Sequence, residues 1–174
     1  NTPSNPYGWS KRMTEIMLED FARAYNMNSV SLRFFNVAGA DTDGEMGQEK
    51  AATHIIARVM ESAMAEKTFT FYGNNYPTPD GTCIRDYIHV EDIAGGINAS
   101  LDYLENNTGA HVFNLGSGEG SSNKEIVDAV ALQTPLMVNT AFAEARAGDP
   151  PILVADMKAT EELSWVPQKG LNDI

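Results

Sequence analysis

Cysteine, positive charge and long apolar runs are all scarce in this sequence of 174 residues. Cys83 is the single cysteine, so an intrachain disulfide is excluded and a reducing, cytoplasmic setting is expected. Lysine and arginine number 12 against 24 acidic residues, and the net charge of −12 argues against binding along a nucleic-acid backbone. No run approaches the ~18 apolar residues of a membrane span, and no signal-peptide pattern opens the sequence. We therefore expect neither a nucleic-acid partner nor a membrane partner.

Metal-binding patterns are also lacking. The histidines and Cys83 do not have the spacing of zinc ligands, so His89 and His111 are interpreted as ordinary polar or core residues. The segment Asp41-x-Asp43-Gly44-Glu45 hints at calcium, but the remaining ligands of a twelve-residue loop are missing. No metal site is predicted.

What the sequence does contain is a regular alternation of helix and strand patterns. Apolar residues at helical spacing, with a capping box at the fourth helix, predict helices at 7–25, 53–65, 91–104, 122–133 and 158–163. Short β-rich runs predict strands at 29–35, 68–72, 111–115 and 136–139. Glycine, proline and aspartate predict loops at 36–48 and 73–85. This alternation indicates an α/β fold with a mainly parallel sheet.

Tyr7 and Lys11 form a Y-x-x-x-K pattern at the start of the first predicted helix. Four residues apart on a helix, the two side chains share one face and lie about a turn apart. An ammonium close to a phenol stabilises the phenolate, which makes a tyrosine usable as a base. A surface tyrosine and lysine give the same pattern, so the neighbouring motifs must decide.

Those motifs favour a catalytic pair. Asn5-Pro6-Tyr7-Gly8 with Ser10-Lys11 resembles the NPYG-x-SK segment of extended short-chain dehydrogenases/reductases, and Arg33-Phe34-Phe35-Asn36 resembles their R-[YF]-F-N strand end. Residues 72–90, YGNNYPTPDGTCIRDYIHV, closely resemble the loop signature of the UDP-galactose 4-epimerases within that family. Arg146-Ala147-Gly148-Asp149-Pro150 resembles their R-x-G-D-P segment. The resemblance extends over nearly the whole chain.

The resemblance implies the C-terminal part of a Rossmann-type enzyme with its small substrate-binding domain. Residues 1–36 and 88–115 would end the NAD-binding domain, and 37–87 and 116–174 would form the UDP-sugar domain. The N-terminal half would be absent, since no G-x-x-G-x-x-G turn precedes Tyr7. The intact protein would interconvert UDP-glucose and UDP-galactose through a 4-keto intermediate on bound NAD. It would be a cytoplasmic homodimer of galactose metabolism, and the fragment alone would be inactive.

The resemblance also implies roles for single residues. Tyr7 would be the general base, and Tyr7, Lys11 and Phe34 would bind the cofactor, with Lys11 on the nicotinamide ribose. Substrate contacts are implied at Asn36, His54, Thr70, Tyr72, Arg85, Tyr87, Arg146, Asp149 and Leu153. Arg85 and Arg146 would bind the diphosphate, a task suited to a planar guanidinium with several donors.

Within that set, Asp149 would accept a hydrogen bond from the uridine ribose. Tyr72 would lie beside the uracil, and Tyr87 near the diphosphate. Without the resemblance, Arg85 would more simply be assigned a salt bridge to Asp86 or another neighbour.

Several positions leave alternatives open. His54 stands where many family members have asparagine, and Phe34 replaces a common tyrosine. Leu153 falls where a large tyrosine excludes N-acetyl groups, so epimerisation of UDP-N-acetylhexosamines or UDP-pentoses is an alternative, as is a non-catalytic nucleotide-sugar-binding fragment. Gly116-x-Gly118-x-Gly120 looks like a phosphate-binding turn but lacks the G-x-G-x-x-G spacing, so it is interpreted as structural.

Overall fold

The computed structural model describes residues 2–3, 5–48 and 53–174, with the side chains of 159 and 160 outside that description. The predicted domain ranges include residues 1, 4 and 49–52, which lie outside the described residues. In chain order the elements are α1 (Pro6–Tyr25), β1 (Ser29–Phe34), β2 (Asn36–Ala38), α2 (Ile55–Met64), β3 (Phe69–Tyr72), β4 (Ile84–His89), α3 (Val90–Asn106), β5 (Ala110–Leu115), β6 (Gly120–Ser122), α4 (Asn123–Gln133), β7 (Thr140–Ala143), β8 (Ile152–Leu153), α5 (Lys158–Leu163) and a closing 3-10 turn (Leu171–Asp173). The predicted helices are confirmed to within two residues at each end.

The start of α1 is fixed by its local sequence. The Asn5 side chain accepts a hydrogen bond from the Gly8 N–H at 2.8 Å, and Pro6 occupies the first turn, where its missing N–H costs nothing. The helix ends at Asn26, whose left-handed backbone (φ 54°) turns the chain away. These caps place Tyr7 and Lys11 in the first two turns.

A buried carboxylate joins α1 to β1. Both oxygens of Glu15 accept hydrogen bonds from Arg33, each at 2.7 Å. This bidentate contact holds the pKa of Glu15 below its usual range, and a weaker contribution comes from a hydrogen bond with Arg12. Burial acts in the opposite direction. The first helix is thereby held on the first strand.

The strands pair mostly in parallel, as predicted. β1 lies parallel to β5, and the chain changes neighbours at Phe35, whose N–H donates to the Leu115 carbonyl at 3.2 Å. From there β2 pairs in parallel with β4. β4 also pairs in parallel with β8 and antiparallel with β6, while β3 and β7 form a separate parallel pair.

Two strands were missed where loops were predicted. β2 occupies the first residues of the predicted loop 36–48, because the chain continues from β1 and finds β4 as its partner. β4 begins at Ile84, inside the predicted loop 73–85, and its last four residues are buried although two of them are Asp86 and His89. Buried polar residues do not give the alternating pattern by which a strand is recognised.

The last predicted strand was wrong by four residues. Residues 136–138 are apolar, but β7 lies at Thr140–Ala143. Its register is set by β3, since Phe69 lies opposite Thr140 and pairing continues to the end of both strands. Tertiary pairing has therefore overridden the local apolar pattern.

The long connection between β3 and β4 is held by its own carboxylate. Asp80 accepts hydrogen bonds from the Thr82 N–H and hydroxyl, both at 2.8 Å, and from the Ser122 hydroxyl at the start of α4. Burial acts to raise the pKa of Asp80, but the bonds from Ser122 and Thr82 hold it below its usual range. Gly81 has φ +78°, and a Cβ there would lie 2.2 Å from the Asn74 carbonyl oxygen, so only glycine fits.

The apolar core has two parts. One cluster lies around α3 and β5 and contains Ile88, Ile93, Phe113, Leu115, Leu163 and Trp165. The other lies between α2, β3 and α4 and contains Val59, Phe69, Phe71, Val127 and Val130. The predicted domain boundary between residues 87 and 88 lies within β4, the strand that pairs with three others. In the described part of the chain, no helix combines the length and apolar character needed to cross a membrane.

Candidate functional site

A polar cavity of about 370 Å³ opens between the N-terminal end of α2, β3, β4 and the segment after β7. The predicted site residues that line it are Asn36, His54, Thr70, Tyr72, Arg85, Tyr87, Arg146 and Asp149. Residues from five separate stretches of sequence therefore meet in one place.

β4 supplies two of these side chains and hides a third. Successive strand residues point to opposite faces, so Arg85 and Tyr87 line the cavity while Asp86 faces away and is 0% exposed. The salt bridge between Arg85 and Asp86 that the sequence also allowed is absent from the described structure. Instead, Nη1 of Arg85 donates to the carbonyls of Ile84 at 2.9 Å and Pro150 at 2.8 Å. These two bonds fix the guanidinium at the cavity wall.

Asp86 is the reason for the glycine-rich turn after β5. Oδ1 accepts from the N–H and hydroxyl of Ser117 at 2.7 and 2.8 Å, and Oδ2 accepts from the N–H groups of Gly118 and Ala155, each at 3.0 Å. A Cβ on Gly116 would lie 2.6 Å from Oδ2. The turn thus binds a carboxylate of its own chain, which accounts for its resemblance to a phosphate-binding turn.

The calcium-like segment also satisfies its own backbone. The Asp41 carboxylate accepts from the N–H groups of Glu45 at 3.1 Å and Met46 at 2.5 Å, so it closes a local turn. Across residues 2–3, 5–48 and 53–174, no group of three or more His, Cys, Asp or Glu side chains is arranged to hold a metal ion.

Arg146 reaches the cavity from the loop after β7. Its guanidinium lies over the Tyr72 ring, with Cζ 4.2 Å from the ring centroid. Such cation–π contacts leave the N–H groups free around the edge of the guanidinium. The N–H of Asp149 donates to the Arg146 carbonyl at 3.3 Å, so both residues belong to one turn. The arginine and the carboxylate are therefore presented together.

His54 brings an unpartnered polar atom to the cavity. It precedes α2, and its ring meets Tyr87 edge-on with centroids 5.8 Å apart. Its Nε2 is buried without a hydrogen-bond partner in the described structure, and such an atom is costly unless a ligand satisfies it. Burial lowers the pKa of His54, which keeps the ring neutral near neutral pH.

Tyr87 is kept as an uncharged phenol. Burial raises its pKa, and this effect outweighs the nearby Arg85, which acts in the opposite direction. The residue is 6% exposed. Tyr87 can therefore shape the cavity and offer a hydroxyl, but it does not serve as a base.

Tyr7 and Lys11 lie on one face of α1, as predicted. The Lys11 Nζ is 5.3 Å from the centroid of the Tyr7 ring. Tyr7 is 72% exposed, and neither residue lines the cavity that Asn36 lines. Asn36 is fixed by its Nδ2, which donates to the Asp86 carbonyl at 2.9 Å. The described residues thus bring Tyr7 and Lys11 together, whereas Asn36 lines the cavity apart from them.

Two other predicted positions also lie outside the cavity lining. Phe34, at the end of β1, is 50% exposed. Leu153, in β8, is 48% exposed and lies opposite Arg85 in the strand register. Leu153 is therefore adjacent to the cavity wall without facing into it.

The sequence prediction missed one charged residue of the cavity. Arg58 lines it from α2, four residues after His54. The signal was available, since residues four apart on a helix share a face. The other residues missed are Thr53, Ile55, Phe69, Phe71, Cys83 and Asn123.

Known proteins resemble this chain in sequence and structure. The UDP-glucose 4-epimerase of Azospirillum brasilense is 44% identical over 169 residues, which is 95% of this chain and 49% of that protein. The crystal structure of UDP-glucose 4-epimerase from Brucella ovis in complex with NAD matches with 43% identity and a TM-score of 0.92, over 100% of this chain and 55% of that one. The enzyme from Bifidobacterium longum in complex with NAD+ and UDP matches with 36% identity and a TM-score of 0.88, over 99% and 53% of the two chains.

The chain spans about half the length of the curated relatives it matches. Residues 2–116 match the model of the NAD dependent epimerase/dehydratase family, a range that covers α1 through β5. The Tyr7–Lys11 pair and most of the cavity lining lie within that range. The chain therefore belongs to the NAD dependent epimerase/dehydratase family.

Proposed function

We propose that the full-length protein containing this chain interconverts UDP-glucose and UDP-galactose with the help of NAD. The observation that carries the proposal is the meeting of Arg85, Arg146 and Asp149 with Tyr72 in one cavity. These groups match the parts of a uridine diphosphate: cations for the phosphates, a carboxylate for the ribose hydroxyls and an aromatic ring for the base. The similarity to UDP-glucose 4-epimerases over nearly the whole chain supports the same reading.

The cavity residues bind the nucleotide. Arg85 and Arg146 hold the diphosphate, and the buried Nε2 of His54 adds a contact to it. Asp149 accepts from the uridine ribose, and Tyr72 lies beside the uracil. The remaining predicted contacts of the cavity are Asn36, Thr70 and Tyr87.

Tyr7 and Lys11 carry out the proton chemistry. Tyr7 takes the proton of the sugar 4-hydroxyl and later returns it, while Lys11 hydrogen-bonds a ribose hydroxyl and stabilises the phenolate. A phenol and an ammonium 5.3 Å from ring centroid to Nζ suit the hydroxyl groups of a nicotinamide ribose, so these residues fit the cofactor. Bound NAD supplies hydride exchange with C4 of the hexose. Phe34, half exposed at the end of β1, lies on the cofactor side.

Strong nucleotide binding and weak hexose binding follow from this chemistry. Inversion at C4 would require the hexose to rotate within the site while the nucleotide stays bound. Anchoring the diphosphate keeps the sugar in place during that rotation, because binding energy remote from C4 is used for positioning.

Epimerisation of UDP-N-acetylhexosamines is the second candidate. Leu153 is half exposed beside Arg85, and a leucine takes less space there than a tyrosine.

The test is turnover of UDP-galactose by the purified full-length protein with NAD. Conversion to UDP-glucose is expected, with a lower rate for UDP-N-acetylgalactosamine. UDP binding without turnover of any of these sugars would contradict the enzymatic proposal and favour a nucleotide-sugar-binding protein.

We also predict the domain division, the oligomeric state and the location of the full-length protein. Residues 1–36 and 88–115 would belong to the NAD-binding domain, and 37–87 and 116–174 to the UDP-sugar domain. A homodimer follows from the family resemblance alone. A cytoplasmic location is favoured by the single cysteine.

A further inference from the structure

The six arginines of the chain divide into two groups by their partners. Arg12, Arg23 and Arg33 each form an ion pair with a carboxylate of α1. Arg58, Arg85 and Arg146 all line the cavity. Within residues 2–3, 5–48 and 53–174, none of these three has a carboxylate oxygen within 4.0 Å, although acidic residues outnumber basic ones two to one.

The charge of the cavity lining is therefore opposite to that of the chain. Three guanidinium groups face one carboxylate, Asp149, and His54 is neutral, so the described lining has a net charge of +2. The chain as a whole carries −12. Like charges in one cavity repel each other, and an anion of two charges removes that repulsion. The diphosphate diester of a nucleotide sugar carries about two negative charges at neutral pH, whereas two arginines and Asp149 alone would leave only one positive charge.

The position of Arg58 is set by α2. It follows His54 by four residues, so both side chains lie on the face of the helix that lines the cavity. The next residue, Val59, is 0% exposed in the cluster between α2, β3 and α4, which anchors this turn of the helix. In the described structure Arg58 has neither an ion pair nor a hydrogen-bonded partner for its side chain.

We propose that Arg58 is a third arginine ligand of the substrate diphosphate, acting with Arg85 and Arg146. This inference rests on the proposed function and extends it, because it predicts that α2 contributes a charged side chain to a nucleoside diphosphate sugar. Arg58 binds the phosphates and takes no part in proton transfer.

The test compares UDP with uridine, which lacks the phosphates. Both are titrated calorimetrically into the full-length protein carrying Arg58→Gln, Arg58→Lys or Arg85→Ala. Arg23→Gln on α1, an exposed arginine paired with Asp20, is the matched control. Thermal unfolding of each variant checks that the fold is retained.

Loss of one charge-assisted contact should weaken UDP binding to Arg58→Gln about tenfold, and change uridine binding less than about twofold. Arg58→Lys should weaken UDP binding about threefold, since an ammonium keeps the charge but not the planar fork. If Arg58→Gln does not fold, Arg58→Lys provides the test, because it should lose affinity for UDP and keep its affinity for uridine. Arg23→Gln should bind both ligands as the wild type does.

Three results would overturn the inference, and they are distinguishable. If Arg85→Ala loses UDP affinity while both Arg58 variants bind UDP normally, Arg58 is not a ligand and the proposed function stands. Equal weakening of UDP and uridine by Arg58→Gln would assign Arg58 a structural role. Failure of the wild type to bind UDP would overturn both this inference and the proposed function.

Discussion

The cavity and the exposed side chains of α1 differ in ion pairing and in burial. In the cavity, three arginines have no carboxylate partner among the described residues, and Tyr87 is 6% exposed. On α1, the arginines are paired with carboxylates, while Met13 and Met17 are 58% and 56% exposed and Tyr7 is 72% exposed. The cavity is thus organised for an anion by the described residues themselves. Tyr7 and Lys11, the proposed catalytic pair, are exposed and do not line the cavity, so the proposed nucleotide binding and the proposed chemistry use different parts of the chain.

The largest expected effect is a loss of turnover when the proposed base, Tyr7, is replaced. Tyr7→Phe removes the proposed base and should lower kcat for UDP-galactose by about 10²- to 10⁴-fold, the usual range for general base catalysis. Tyr25→Phe is the matched control, since Tyr25 is an exposed tyrosine at the far end of α1. The measurement is steady-state turnover by the full-length protein. A loss of less than fivefold for Tyr7→Phe would rule out its role as the base.

The next effect concerns the buried carboxylate of Asp86 in β4, behind the cavity wall. Asp86→Ala removes the acceptor of four hydrogen bonds and leaves buried N–H groups unpaired, so the free energy of unfolding should fall by about 3 kcal/mol. Asp128→Ala should cost less than about 1 kcal/mol, because Asp128 pairs with Lys124 at the surface. Urea unfolding followed by circular dichroism measures both. Equal losses of unfolding free energy in the two variants would show that the Asp86 hydrogen bonds stabilise the fold no more than a surface ion pair does.

The cavity side of the comparison is tested by its two predicted arginines. Arg85→Ala and Arg146→Ala should each weaken UDP binding by about 1.5–3 kcal/mol, or roughly ten- to a hundredfold. Arg85→Lys should recover only part of this, since Nη1 of Arg85 is held by two carbonyls in a geometry that an ammonium cannot copy. Calorimetric titration of UDP gives the values. Wild-type affinity in both alanine variants would place the nucleotide elsewhere.

The smallest effect is a pH dependence away from both regions. Glu91 accepts hydrogen bonds from Lys169 at 2.8 Å and from the Thr42 N–H and hydroxyl at 2.7 Å, which lower its pKa from 4.5 to about 2. Because the folded pKa is depressed, the stabilisation is present above pH 4.5 and is lost as the pH falls towards 2. The difference in Tm between wild type and Glu91→Gln should therefore shrink over that range. A difference that stays constant from neutral pH to about pH 2 would contradict the assignment.

Local signals in the sequence predicted the helices well. The Asn5 cap and Pro6 marked the start of α1, and the capping box of Ser122 and Glu125 marked the start of α4. Each is a contact between residues close in the chain, so the sequence alone contains it. The cavity residues near the epimerase-like loop were predictable for another reason. The resemblance to a family motif assigns functions to individual residues, and it does not depend on local preferences for helix or strand.

The errors arose where distant parts of the chain decide the structure. β4 is stabilised by three strand partners and by the bonds to Asp86 from Ser117, Gly118 and Ala155, none of which is near it in sequence. The register of β7 depends on β3 in the same way. The spacing of four residues between His54 and Arg58 was a local signal that went unused, whereas the lack of a carboxylate partner for Arg58 among the described residues depends on the tertiary structure.

The most direct test of the separation is the UDP affinity of the Tyr7→Phe variant of the full-length protein. Tyr7 does not line the cavity in the described structure, so the variant should lose turnover and still bind UDP within about twofold of the wild type. Arg85→Ala, measured beside it, should lose UDP affinity. A tenfold loss of UDP affinity in Tyr7→Phe would contradict the account, because it would mean that Tyr7 and the cavity residues act as one site.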